Sequence, residues 1–356
     1  MTRSLALLLA LLVIDVRTSD ACATAPPPGA EVRIAEEEAL IVWDPATKTE
    51  TFIRRAAFQS TARKFGFLVP TPTMPQLSEV SDGVFYALTD AIRPPVEHRA
   101  KTKYTVGSFL FESCLGGAMK SKSDDARVTG AAVRVLQTAT VAGFNATTVE
   151  ADNAQALTDW LGQNGFEVTP QLTKWLERYV TEKWKVTAFV VAGDGDEAKG
   201  YEIATKAVKM TFPAERPFYP YREPQIEMTV ETNAKLAPPA FARMLRVYFV
   251  SNERYAATLA DQPWSAKVLQ AQKLATTSPD LQAQVGPQPY MTVFVDDSSP
   301  RRGIEELYFA PSADKADVKQ PVQVVTYDDE VTIPVDLIVL GLIVVVFVVR
   351  RIRRRR

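Results

Sequence analysis

A chain of 356 residues, 46% apolar and 23% charged, has the composition of a globular body large enough for one big domain or two ordinary ones. Its net charge of −1 includes six arginines at the extreme C-terminus, Arg350, Arg351 and Arg353 to Arg356, so the remainder is acidic and unsuited to a nucleic-acid partner. One histidine, His98, and two cysteines, Cys22 and Cys114, argue against a multi-ligand zinc site, a histidine-based hydrolytic triad and a disulfide-dense scaffold.

The first residues have the three parts of a secretory signal: Arg3, the apolar run Leu5–Ile14, then small residues at Ser19, Ala21, Ala23 and Ala25. Ten apolar residues make only about 15 Å of helix, half of what a membrane needs. Cleavage after Ala21 makes residues 1–21 the signal and Cys22 the first mature residue, and later cuts after Ala23 or Ala25 stay open. The extracytoplasmic body then runs over 22–330, with a possible subdivision near residue 200.

Within the body, Pro26-Pro27-Pro28-Gly29 is a linker. Ala39–Trp43 reads as a buried strand, Asp44–Thr47 as a turn and Thr49–Ala57 as the returning strand. Gly66–Val69 makes another strand, and Val80, Val84, Leu88 and Ile92 mark a helix from about Ser78 to Ile92 that Pro94 and Pro95 stop. Residues 96–130 have no regular pattern and read as a loop-rich insertion carrying Cys114. Val133–Val141 and Thr147–Glu150 are strand-like, and Asp152 is placed to cap the helix bearing Leu157, Trp160 and Leu161. Thr169-Pro170 opens a second helix whose buried face is Leu172, Trp175, Leu176, Tyr179 and Val180.

Val186–Ala192, Ala207–Phe212, Glu227–Thr232, Leu245–Asn252 and Met291–Asp296 follow as strands. Strands and helices mix without βαβ alternation, which gives an α+β fold, mainly antiparallel sheet with a few packed helices. At the end, Leu337–Val349 is thirteen apolar residues running into the arginines. Counting back to Val331 gives residues 331–349, roughly 28 Å of helix, read as a transmembrane helix with the arginine tail 350–356 in the cytoplasm. A cleavable sorting signal is the other reading of this tail.

The stretches ALIVWDPATKTETFIRRAAFQ, FGFLVPTPTMPQLSEV, FNATTVEADNAQALTDWLGQNGFEVTPQLTKWLERYVTEKWKVTAFVV, MTFPAERPFYPYREP and LRVYFVSNER together resemble the bacterial domain-of-unknown-function family 2330. The resemblance covers most of residues 22–296. It implies an exported protein with a C-terminal anchor, and it carries over no catalytic residue.

Candidate chemistry is sparse. Asp194, Asp196 and Glu197 around Gly195 resemble the front of a calcium loop but lack its remaining ligands, so a polar turn is the plainer reading. The pairs Asp124-Asp125 and Asp296-Asp297 read as solvated loop acids, and His98, among Glu97, Arg99 and Lys101, as a surface residue. Phe218, Tyr219 and Tyr221, between Pro217, Pro220 and Pro224, are the candidate partner surface, against the alternative that they cover the core. Cys22 and Cys114 can form one disulfide on the exported side. No cofactor is expected. The reading that follows is a membrane-anchored, non-enzymatic binding, adhesion or envelope-assembly module, in the periplasm or outside the cell, with an envelope protein or polysaccharide as partner. The alternative is an extracytoplasmic hydrolase working with carboxylates.

Overall fold

The computed structural model describes residues 23–62, 64–107, 135–191, 201–224, 244–286, 289–298 and 305–354. In chain order these form β1 (Ala23–Ala25), β2 (Val32–Asp44), β3 (Thr49–Ser60), β4 (Phe65–Thr71), β5 (Gln76–Glu79), α1 (Gly83–Ala91) and β6 (Val96–Gly107). Then come β7 (Val135–Val141), β8 (Phe144–Val149), α2 (Ala154–Gln163), α3 (Pro170–Thr181), β9 (Lys185–Val191), β10 (Tyr201–Ala204), β11 (Val208–Pro213) and β12 (Phe218–Tyr219). The last third holds β13 (Met244–Ser251), β14 (Tyr255–Leu259), β15 (Gln262–Pro263), β16 (Lys267–Lys273), α4 (Pro279–Val285), β17 (Tyr290–Asp296), β18 (Leu307–Pro311), β19 (Gln323–Pro334) and α5 (Val335–Arg353). The chain divides into two compact units, one of residues 1–92 and 125–319, the other of 93–124 and 320–356.

The larger unit is α+β with mostly antiparallel pairing. A five-stranded sheet has the order β1-β4-β9-β8-β7, and a larger one runs β16-β17-β13-β2-β3-β11-β5 with β10 also on β3. A smaller sheet has the order β12-β18-β14-β15. Among the described residues of this unit, only β13 on β2 is parallel. Apolar residues occupy successive positions in parts of these strands, as in Ala39–Trp43 of β2, because both faces of the two main sheets are covered. Along β2, Ala39, Ile41 and Trp43 face a core shared with Phe67 and Val69 of β4 and Phe189 of β9. Leu40 faces the opposite side, where α1 and α4 pack through Val84, Phe85, Leu88 and Leu281. Leu68 and Ala188 point the other way from Phe67 and Phe189, against α2 and α3 through Trp160, Leu161, Trp175 and Leu176. Four layers result, helices outside and sheets inside.

Local signals set the helices. Thr169 Oγ1 accepts from Leu172 N at 3.1 Å with Pro170 at the first helical position, as its sequence predicts. In α2 the capping residue is Asn153, whose Oδ1 accepts from Ala156 N at 2.8 Å, one position later than the sequence reading. Gly66 has a packing reason: a Cβ there would meet the Phe166 ring at 2.9 Å, so only glycine lets β4 lie against it.

The second unit corrects two expectations. Residues 96–107, read as part of an irregular insertion, are the strand β6, which pairs in parallel with β19 along its whole length, Val96 opposite Gln323 and Gly107 opposite Pro334. The segment read as helix from Val331 starts later, because residues 331–334 belong to β19. Among the described residues no helix is long and apolar enough to cross a membrane. In α5 the charges of Asp336, Arg350, Arg351 and Arg353 flank a shorter apolar stretch. Cys22, Cys114, Asp124, Asp125, Asp194, Asp196, Glu197 and the expected strand Glu227–Thr232 lie outside the described residues.

Candidate functional site

The proline-rich crossover at 213–224 is where the sequence placed a partner surface, and the structure places it inside. Phe218, Tyr219 and Tyr221 are 2%, 0% and 1% exposed, so none of the three can present a ring to a partner. The reason lies in the backbone. Pro217, Pro220 and Pro224 have no N–H and cannot extend a ladder, and buried N–H groups between them need partners from elsewhere. Two glutamates supply them. Phe218 N donates to Glu50 Oε2 at 2.9 Å, and Arg222 N donates to Glu306 Oε2 at 3.1 Å. The Tyr221 hydroxyl donates to Asp296 Oδ2 at 2.7 Å. From α3, Trp175 Nε1 donates to Arg222 O at 2.9 Å, Arg222 Nη1 returns to Trp175 O at 3.1 Å, and the Tyr179 hydroxyl donates to Glu306 Oε1.

These acids are deeply buried, Glu50 at 0%, Glu306 at 2% and Asp296 at 3%. Burial drives the Glu50 carboxyl well above the ordinary glutamate range, against the pull of the Phe218 N–H. It lifts Glu306 to about 7, opposed by the Tyr179 hydroxyl, the Arg222 N–H and the charges of Arg222 and Arg178. Asp296, read as a solvated loop acid, instead closes β17 and also accepts from Ser298 N at 3.0 Å. Each carboxyl is occupied in holding the chain's own groups. A second buried pair, Arg54 Nε to Glu37 Oε1 at 2.5 Å, sits with the guanidinium 4.8 Å from the Phe67 ring. Glu37, Glu50 and Glu306 carry no signal in the sequence beyond their position in or beside apolar runs.

The open part of the surface is elsewhere. A groove of about 530 Å³ lies where β8 ends, α2 begins and α3 ends, lined by Glu150, Asp152, Asn153, Glu177, Thr181 and Lys183 among others. Its size is that of a small-ligand site, and its walls mix these charged and polar side chains with Ala151, Ala154 and Val180. Lys185 Nζ bridges Glu150 Oε1 at 2.6 Å and Lys183 O at 3.0 Å, which fixes one wall. Among the described residues no three His, Cys, Asp or Glu side chains are grouped to hold a metal ion. The groove offers hydrogen-bonding and ion-pairing groups at an open surface. His98, on β6, lies beside Tyr327 with ring centroids 6.4 Å apart.

Residues 17–280 match a family model described as an uncharacterized protein conserved in bacteria, DUF2330. The chain belongs to this family. No curated protein and no solved structure matches it. The DUF2330 match takes in β1 to β16, both crossover-clamping helix residues Trp175 and Tyr179, and the groove, and it ends inside α4. The strand β19 and the helix α5 lie beyond it.

Proposed function

We propose that this DUF2330 protein is exported, held at a membrane by α5, and acts without catalysis as a binding, adhesion or envelope-assembly module. The observation that carries this reading is α5 itself. Leu342, Val344, Val345, Val346, Phe347, Val348 and Val349 are all 44–68% exposed, and they run directly into Arg350, Arg351 and Arg353. A helix that is apolar all round belongs in protein core or lipid, not in water. The apolar stretch of α5, Leu337–Val349, is thirteen residues or roughly 20 Å, short for a bilayer. Snorkelling arginines and local thinning accommodate such a length. The Leu5–Ile14 run with its small-residue exit supports export, and the positive tail supports a cytoplasmic C-terminus.

The non-catalytic half rests on where the acids are. The carboxyls raised by burial are engaged by backbone N–H groups and do not border the groove, while those in the groove stand at an open surface. An envelope polysaccharide or a polar protein surface fits such a groove. A carboxylate-dependent hydrolase is the alternative, and it would have to use Asp152 and Glu177 there. An alkaline phosphatase reporter fused after Asp317 is expected to be active and one fused after Arg356 inactive. Activity of the C-terminal fusion would overturn the orientation.

A further inference from the structure

The ribbon of β6 and β19 is a two-stranded parallel sheet, twelve residues long on each strand. Parallel pairs are ordinarily the inside of a larger sheet, and two strands alone are marginal. Among the described residues no third strand pairs with either edge. The free edges can be assigned. Gln323 N donates to Pro95 O at 2.8 Å, so the odd-numbered residues of both strands turn their N–H and C=O groups inward. The even-numbered residues, Val96, His98, Ala100 and Thr102 on β6 and Val324, Thr326 and Asp328 on β19, turn theirs outward.

The two edges differ in charge. On β6, Arg99, Lys101 and Lys103 follow one another on one face. On β19, Asp328 stands opposite Lys101 in register and pairs with Lys103 at 3.9 Å. Lys101 itself has no ion-pair partner among the described residues. Val96, Val322, Val324, Val325 and Tyr327 are 44–55% exposed. We propose that the outer edge of β6 in one copy pairs, in parallel, with the outer edge of β19 in a second copy. The register is that of the internal pair, so the neighbour's Asp328 falls beside Lys101. The exposed valines and Tyr327 then gain cross-strand neighbours. This reading rests on the membrane anchoring proposed above: copies held by α5 in one membrane share an orientation, which makes parallel addition the available geometry. The contact is between unlike edges, so it can propagate beyond a pair into a ring or a row.

The test uses the full-length protein in its own membrane. Resistance to alkaline carbonate extraction reads the anchoring separately. Carbodiimide, which joins a lysine to a carboxylate without a spacer, then reads the assembly. The wild type is expected to give a ladder of dimers and larger species. Ala100→Pro removes an outward N–H of β6, and Thr326→Pro removes one of β19, while the internal ladder keeps its donors. Each variant alone is expected to lose every band above the monomer. Co-expressed with different tags, the two are expected to give mixed dimers and nothing larger, because each still has one good edge and the two edges are complementary. Lys101→Glu, which leaves the backbone alone, is expected to weaken the ladder. A membrane-bound wild type that stays monomeric, or a ladder that survives both proline variants, would overturn the assembly while leaving the anchor in place. Extraction by carbonate would instead overturn the anchor. Larger species from the mixed variants would exclude the edge-to-edge arrangement.

Discussion

Replacing Glu306 by glutamine should remove a specific pH dependence of stability. The carboxyl is lifted from 4.5 to about 7 by burial. A folded pKa above the unfolded one means that the native state holds its proton longer. Stability from this group is therefore complete below about pH 4.5, falls as the pH rises through the interval up to about 7, and is level above it. At 1.36 kcal/mol per unit the loss is about 3 kcal/mol, without discount for screening because the group is fully buried. Glu50 is shifted in the same direction and adds a loss of the same sign, so the wild type alone does not isolate Glu306. The glutamine variant does. Its Oε1 can accept from Arg222 N and its Nε2 can donate to the Tyr179 hydroxyl, so the crossover keeps its clamp. Denaturant melts between pH 4.5 and 8, followed by tryptophan fluorescence, should show a steeper fall in the wild type by about 3 kcal/mol. Equal slopes in the two proteins would refute the assignment of a buried, proton-holding Glu306.

Glu37→Ala should cost about 3–5 kcal/mol, because it leaves the Arg54 guanidinium buried and without its carboxylate, and thermal melts against wild type read the loss. The same melts on Glu37→Gln separate charge from contact, and the amide should recover part of the loss. The mature chain should begin at Cys22. Ala23 and Ala25 are fully buried in β1, which pairs with Leu68 to Gly66 of β4, so a cut after Ala25 would remove an edge strand from a finished sheet. Intact mass of the mature protein gives the start, and alkylation before and after reduction tests the proposed bridge from Cys22 to Cys114. Two alkyl groups appearing only after reduction are the expected result, and one thiol alkylated without reduction would exclude it.

What the sequence disclosed of this fold was local. The hairpin of β2 and β3 was legible because the Asp44–Thr47 turn separates two apolar runs, and α3 because Thr169-Pro170 starts it and five apolar residues share a face. The strand β6 was not legible, since its charges sit on exposed faces and its partner lies more than two hundred residues away. Nothing in VEHRAKTKYTVG distinguishes an exposed strand from a polar loop until β19 lies beside it.

The crossover failed for the opposite reason. Its prolines and rings were legible, and they did define a largely irregular segment whose ladder is only the two residues of β12 on β18. Whether such a segment lies outside or inside depends on whether its few N–H groups find acceptors away from water, since each left unsatisfied in the core costs about 1–3 kcal/mol. Phe218 and Arg222 find theirs on Glu50, from β3, and on Glu306, just before β18. Those glutamates stand 168 and 84 positions away in the chain, and in sequence they look like surface acids. The same separation explains why no catalytic candidate emerged. The acids with unusual environments are those that the fold spends on its own backbone and buried side chains, and the acids left in the open groove stand at a surface.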